Sequence, residues 1–468
     1  MKKYIKSIIL AAFSISLLTG CQTELDDFND NPNNPSTSNP SLLVAAMEVS
    51  TFQTHTSGLT RNAGIFTQHL AGTNVGQMGE IARYIVTEQD VNNEWNTLYQ
   101  TTLMNGHILN RDFAKDYPWY NGIGQVLTAL NLGYATDMWG DIPYDEAFLA
   151  AEGNKNPKYN TQQEIYERIQ TLLDKAIVNL SQPEDSNEEI PEDADFIFNG
   201  DTEKWTKVAY VLKARFALRL TNVEGSTVAA QKALDYITKA DMTANSDDAN
   251  TYFPGTANSF NQWYAFNVSR ANYLKVGKYF VDYLQNNNDP RLSFMIAKNI
   301  PPKGSTAPAI YIGNSAEDQA STGTSYIGPK YASANSSIGI VTFAEAKFIE
   351  AEAKARLGQP SAQVALQEAV TASVTKITGS APSATFLGTA TATFDVANII
   401  QQKYLALFLT MEPYNDYRRT GFPALTPNKN SNTKLIPVRL PTPSDERQYN
   451  TNATVVSNVT TKVWWDKD

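Results

Sequence analysis

Thr161-Gln162-Gln163-Glu164-Ile165-Tyr166-Glu167-Arg168-Ile169-Gln170, continuing as Thr171-Leu172-Leu173-Asp174-Lys175-Ala176-Ile177-Val178-Asn179-Leu180, is helical by two independent signs. Ile165, Ile169, Leu172, Leu173, Ala176, Ile177 and Leu180 recur at the three- and four-residue steps that place them on one face of a helix. In front of them, Thr161 and Glu164 have the spacing of a capping box. There the Thr hydroxyl satisfies one free amide at the helix start and the Glu carboxylate reaches back to another. A stripe this wide needs a partner to cover it.

Working outward, the same periodicity recurs. Trp95, Leu98, Tyr99, Thr102, Leu109 and Phe113 fall on one helical face, as do Trp205, Val208, Ala209, Leu212, Phe216 and Leu220. Residues 341–357 are rich in Ala, and 395–411 carry Ile399, Ile400, Leu405, Phe408 and Leu409. The helices are expected in pairs: 92–116 with 121–137, 162–181 with 202–221, and 341–357 with 361–376. Ala344, Ala351 and Ala355 let neighbours approach closely. Such stacking resembles tetratricopeptide repeats, though the spacings are too irregular for a true repeat. Between the pairs lie turn-rich, aromatic-bearing stretches at about 138–160, 243–269, 299–340 and 413–468. Connections that long in a compact domain are usually functional. The expectation is a mainly α fold in which tetratricopeptide-like helical pairs form a scaffold for an irregular, long-loop ligand-binding face.

The N-terminus has a different character. Lys2, Lys3 and Lys6 precede an apolar run from Ile8 to Leu18, too short for a bilayer span of ~20 residues but suited to a signal-peptide core. Leu18-Thr19-Gly20-Cys21 then has the form of a lipobox, and Cys21 is the only cysteine in the chain, so no internal disulfide is open to it. Residues 1–20 therefore read as a lipoprotein signal and Cys21 as the lipidation site. Several acyl chains on one residue anchor a protein almost permanently. Residues 21–40, dense in Asn and Pro, read as a tether, and 41–468 as a single α-helical domain. Without the three signal lysines the chain holds 35 basic against 48 acidic residues, a net of −13, which argues against nucleic acid as a partner.

A set of motifs taken in order resembles the SusD/RagB family of nutrient-binding outer-membrane lipoproteins, in its SusD-like branch. They are the lipobox, the leader Asn29-Asp30-Asn31-Pro32-Asn33-Asn34-Pro35, Trp139-Gly140-Asp141-Ile142-Pro143-Tyr144 with Glu146-Ala147, and the Trp205–Arg219 helix. Asn288-Asp289-Pro290-Arg291-Leu292 follows, then Ala344-Glu345 with Glu350-Ala351-Glu352-Ala353. The last are Tyr414-Asn415-Asp416-Tyr417-Arg418-Arg419-Thr420-Gly421, Ile436-Pro437-Val438-Arg439 and Trp464-Trp465-Asp466. Leu440-Pro441 departs from the Tyr-Pro usual after Pro-x-Arg, and altered local packing is expected there. The resemblance implies a non-catalytic protein at the extracellular side of the outer membrane. It implies a SusC-like TonB-dependent transporter barrel as partner, with an oligosaccharide or peptide nutrient as ligand.

Read as chemistry, the residues offer little to a catalyst. His55, His69 and His107 show no zinc-binding spacing, and no cofactor is indicated. Ser373-Val374-Thr375-Lys376 has the Ser-x-x-Lys form of penicillin-binding enzymes without its companion motifs. A glycosidase carboxylate pair is decided by separation in space, so a glycoside hydrolase on a helical scaffold stays open, as does a structural lid without ligand affinity. Binding has better material, because sugars and extended peptides are held on aromatic faces framed by amides. Asn261, Gln262, Trp263 and Tyr264, within 258–267, combine those types in what reads as a loop, with Trp263 as anchor. Asn74 and Tyr326 lie in two further stretches of the same kind. Trp139, Tyr144, Trp464 and Trp465 are expected to close the fold, and Arg418 and Arg419 to bond neighbouring carbonyls and carboxylates.

Overall fold

The computed structural model describes residues 38–467; the signal, Cys21 and most of the tether lie outside them. The first helix, α1 (Pro40–Thr56), opens with proline at its first position, and the Asn39 side chain accepts from the Ser41 amide. It is followed by α2 (Gly58–Phe66). Residues 92–112 are helical but not uniform, with a π-helical segment, Thr97–Leu103, running into α3 (Met104–Asp112). Next come α4 (Pro118–Trp139) and α5 (Gln162–Leu180), and α5 carries the full capping box between Thr161 and Glu164. Then follow α6 (Thr202–Arg219) and α7 (Ser226–Ala240). After the short helix α8 (Gln262–Ser269) come α9 (Lys278–Asn286), α10 (Phe343–Arg356), α11 (Ala362–Thr378), α12 (Val396–Ala406) and α13 (Glu412–Thr420).

The pairs that pack along their lengths are α4 with α5, α6 with α7, and α10 with α11. Pairing is thus shifted from the sequence expectation: α5 lies chiefly on α4, and α6 turns to α7. Helix α7 reads weakly in sequence because its buried face is mostly small, with Ala229, Ala230, Ala233 and Ala240 enclosed. Close approach decides how the central pairs meet. Gly133 on α4 faces Phe216 of α6, and a Cβ there would sit 2.3 Å from the ring. Leu173 and Phe216, in the middles of their stripes, are fully enclosed, and Phe216 meets Tyr166 edge-on at 5.8 Å.

A layer of buried charge crosses this interior. Arg215 of α6 forks onto Glu345 of α10 with two bonds of 2.7 Å. One turn on, Arg219 donates to Glu412 at 2.7 Å and lies 3.5 Å from Asp137 of α4. Arg419 grips Glu352 through both oxygens and Asp416 at 2.7 Å, and Lys403 meets Asp416 at 2.9 Å. Burial alone would raise the Glu352 carboxyl, but Arg419 and Arg356 outweigh it and hold the group at about 2. The C-terminal motifs close over this layer. Trp465 donates to Asp137 at 3.0 Å, and Arg418 donates to the carbonyls of Asp137 and Val438. Leu440 is enclosed, its amide bonded to the Met138 carbonyl, so the departure at Leu440-Pro441 fills the core.

Among the described residues, four two-stranded ladders tie the long connections down: β1 (Leu70–Gly72) with β5 (Leu274–Val276), β2 (Ile142–Pro143) with β3 (Tyr159–Asn160), β4 (Ala249–Asn250) with β8 (Gly339–Val341), and β6 (Ile296–Ala297) with β7 (Tyr326–Ile327). No helix among the described residues is long and apolar enough to cross a membrane.

Candidate functional site

The site is built on β5. Its neighbours come from either side of it in the sequence: antiparallel β1 pairs Ala71 with Lys275, and on the other side the Val276 amide donates to the Ser325 carbonyl. Two of the stretches singled out in the sequence are thereby brought to one place. Beyond β1, Thr73 donates from its amide to Tyr273 and from its hydroxyl to the Asn272 carbonyl, at 3.0 and 2.6 Å. Asn74, exposed, is fixed by its amide to the Gln319 carbonyl at 2.9 Å. Gly76 has φ +67°, and a Cβ there would lie 2.2 Å from the Tyr273 ring, so the 73–77 turn lies flat against that tyrosine. From β7, the half-buried Tyr326 donates its hydroxyl to Asn272 Oδ1 at 3.1 Å.

The third stretch arrives through α8, with a different division of labour from that expected. Residues 262–269 are helix rather than loop. Asn261 caps it, its side-chain oxygen accepting from the amides of Trp263 and Tyr264, while its NH2 donates to the Ser336 carbonyl at 2.8 Å. Asn261 and Trp263 are both 0 % exposed, so the expectations of Trp263 as a ligand-touching anchor and of Asn261 beside it in the ligand-binding face are corrected. The Trp263 ring supports α8 from beneath. A cap followed two residues later by a large aromatic has a helix-start reading that the amide-rich composition masked. Gln262 and Tyr264 are half-buried, and Phe266, further along α8, meets Tyr273 edge-on at 6.4 Å, with the Arg61 guanidinium 4.6 Å from the centre of the Phe266 ring.

The rings of Phe266, Tyr273 and Tyr326 are thus grouped around Asn272, beside the turn that holds Asn74. Asn272, Tyr273 and Lys275 escaped sequence reading. The alternation Tyr273-Leu274-Lys275-Val276 after a turn-forming Asn is the signal of the short strand that places them. Lys275 is enclosed, its ammonium 3.4 Å from the centre of the Tyr326 ring and 3.0 Å from Asn272 Oδ1. Among the described residues it has no carboxylate partner, and burial pushes its pKa down to about 8. It locks Tyr326 and Asn272 in place. At the other end of the three-residue β5, ~10 Å away at strand rise, a cleft of about 370 Å³ is lined by Gln68, Tyr279, Asn314, Glu317 and Asn428. Aromatic face and polar cleft lie at opposite ends of one strand.

His55 and His69 are buried, their pKa values pushed down by desolvation to about 4 and about 3. Ser373 accepts from Arg291 at 2.9 Å while Lys376 is bonded to Asp248 and Asn250, so the Ser-x-x-Lys pair is engaged in structure. No group of His, Cys, Asp and Glu among the described residues is arranged to hold a metal ion.

Solved structures share this architecture. A SusD/RagB family protein from Bacteroides thetaiotaomicron superposes with a TM-score of 0.76 at 24% identity, covering 92% of this chain and 99% of its own. A chitin-binding protein gives 0.76 and 24%, covering 92% and 100%. A chitin-binding SusD homologue from Flavobacterium johnsoniae gives 0.76 and 20%, covering 91% and 99%. No curated protein matches the chain. Members of the SusD-like family are binding proteins, not catalysts. Its family model, described as starch-binding and associating with the outer membrane, matches residues 32–443, and the chain belongs to that SusD-like family.

Proposed function

We propose that the protein is a cell-surface lipoprotein that captures a nutrient on the face around β5 and delivers it to a SusC-like TonB-dependent transporter barrel. The nutrient is an oligosaccharide or a peptide, with a glycan favoured. The observation that carries this reading is the grouping of Phe266, Tyr273 and Tyr326 with Asn272, beside the turn that holds Asn74. Pyranose rings offer apolar C–H faces and a rim of hydroxyls, and aromatic rings bordered by amides match both. The family's described starch binding and outer-membrane association support the same reading. Cys21 carries the lipid that holds the protein at the membrane, leaving the loop-rich face free for ligand and barrel.

Tyr273→Ala is the direct test. Losing a central aromatic anchor typically removes about 2 kcal/mol of binding, roughly thirtyfold in affinity. Calorimetry with a panel of soluble oligosaccharides and peptides should show wild-type binding and a variant weakened by that factor while still unfolding cooperatively above the assay temperature. Equal affinities would remove this face from the function. Co-purification of the native protein with an outer-membrane barrel tests the delivery step.

A further inference from the structure

A second aromatic feature lies outside that face. Phe196 and Tyr252, far apart in sequence, place their rings 6.1 Å apart and 27° from parallel. Both are exposed, Phe196 at 39% and Tyr252 at 53%, although large aromatics normally find cover. They border an open cleft of about 460 Å³ that is also lined by Phe253, Pro254, Asn250 and Asn335. Aromatic faces again meet amide side chains.

The rings are exposed on firmly held backbone. The Phe196 amide donates to the enclosed Glu48 carboxyl at 2.8 Å. Next to it, buried Asp195 accepts from the amides of Ile197, Phe198 and Gly200 and from the Trp205 indole. On the other side, the Thr251 amide donates to the Ile338 carbonyl, and the Thr251 hydroxyl accepts from the Ile338 amide, both at 2.9 Å. Phe253 is pinned edge-on to Phe52 at 6.1 Å. The cleft is thereby preorganised, since little backbone freedom is left to lose when a ligand arrives. One strut joins it to the β5 face. Asn335 lines the cleft, while its neighbours Ala334 and Ser336 accept through their carbonyls from Asn261, the cap of α8.

We infer that the Phe196–Tyr252 cleft is a second sugar-binding subsite, which stacks a pyranose ring of the same glycan chain or of a neighbouring one. The inference rests on the glycan reading of the β5 face, to which it adds a preference for long chains. A ligand spanning both places gains from the second contact through effective concentration, whereas a disaccharide engages only one.

The test uses the full mature chain in gels containing amylopectin, glycol chitin or xylan, with calorimetry on matching two-sugar and six-sugar fragments. Tyr252→Ala and Phe196→Ala should each weaken retardation by the cognate polymer about tenfold while leaving the disaccharide affinity as in wild type. Retardation unchanged in both variants, with loss in Tyr273→Ala, overturns the second subsite and leaves the β5 face standing. Loss in Tyr252→Ala with none in Tyr273→Ala upholds the cleft and overturns the β5 face. A wild-type chain that no polymer retards and no fragment binds overturns both.

Discussion

Replacing Glu352 by Gln keeps the shape of the side chain and removes its charge. Glu352 is fully enclosed on α10, with Arg419 forked across its two oxygens and Arg356 Nε 2.7 Å from Oε1. In the variant Arg419 retains only Asp416, which Lys403 also occupies, so two buried cations share one carboxylate. Removing one partner of a buried ion pair costs about 3–5 kcal/mol. The pKa gives a similar figure, because a carboxyl lowered from 4.5 to about 2 is worth roughly 3 kcal/mol to the folded state at neutral pH. The sign follows from the lowered folded-state pKa. The stabilisation is complete above about pH 4.5 and is lost as pH falls toward 2. Urea unfolding of wild type and Glu352→Gln should therefore differ by about 3 kcal/mol at pH 7 and by roughly 1 kcal/mol at pH 3. Coincident curves at pH 7, or a gap that does not change with pH, would refute the charge-based account of this layer.

Leu173→Ala, in the stripe of α5, should cost about 2–5 kcal/mol, and Phe216→Ala a similar amount through the space opened beside Gly133. A melting temperature unmoved by either would show that the buried faces are misassigned. Trp263→Ala should destabilise by about 3–5 kcal/mol, because the ring is core. A native-like melting curve with lost ligand binding would return Trp263 to the role of anchor. Cys21→Ala should give a folded protein released from membranes, assayed by sedimentation after a high-salt wash. Continued pelleting would mean that the anchor lies elsewhere.

The helices of the scaffold were legible where a wide apolar stripe met a cap, as at Thr161–Leu180, because that pattern is local. Helix α1 was not, since it is enclosed on several sides and mixes Thr, Ser and His with its apolar residues, which blurs the stripe. Helix α7 hid behind small alanines. The motifs that close the fold read correctly: Trp465, Arg418 and Arg419 all make the internal contacts expected of them. The site was legible only in its ingredients. Asn74 and Tyr326 were visible as residue types, but β1 and β5 lie about 200 residues apart, and a three-residue ladder carries no periodicity long enough to announce such a meeting. Trp263 misled for the converse reason, since composition cannot distinguish an aromatic that faces a ligand from one that supports the helix beneath it.

The charged layer between the helices has a mechanical consequence. In a purely apolar interface, a helix that slips past its neighbour exchanges one methyl contact for another at modest cost. Here a slip of one turn, about 5.4 Å, between α6 and α10 would part Arg215 from Glu345 and leave both charges buried away from their partner. A stranded buried ion costs several kcal/mol. The barrier to sliding is thus steep and cooperative, and the helical body responds to a load as one stiff block. Between the helices and the segments around β5 and α8, it is the helices that form the anvil.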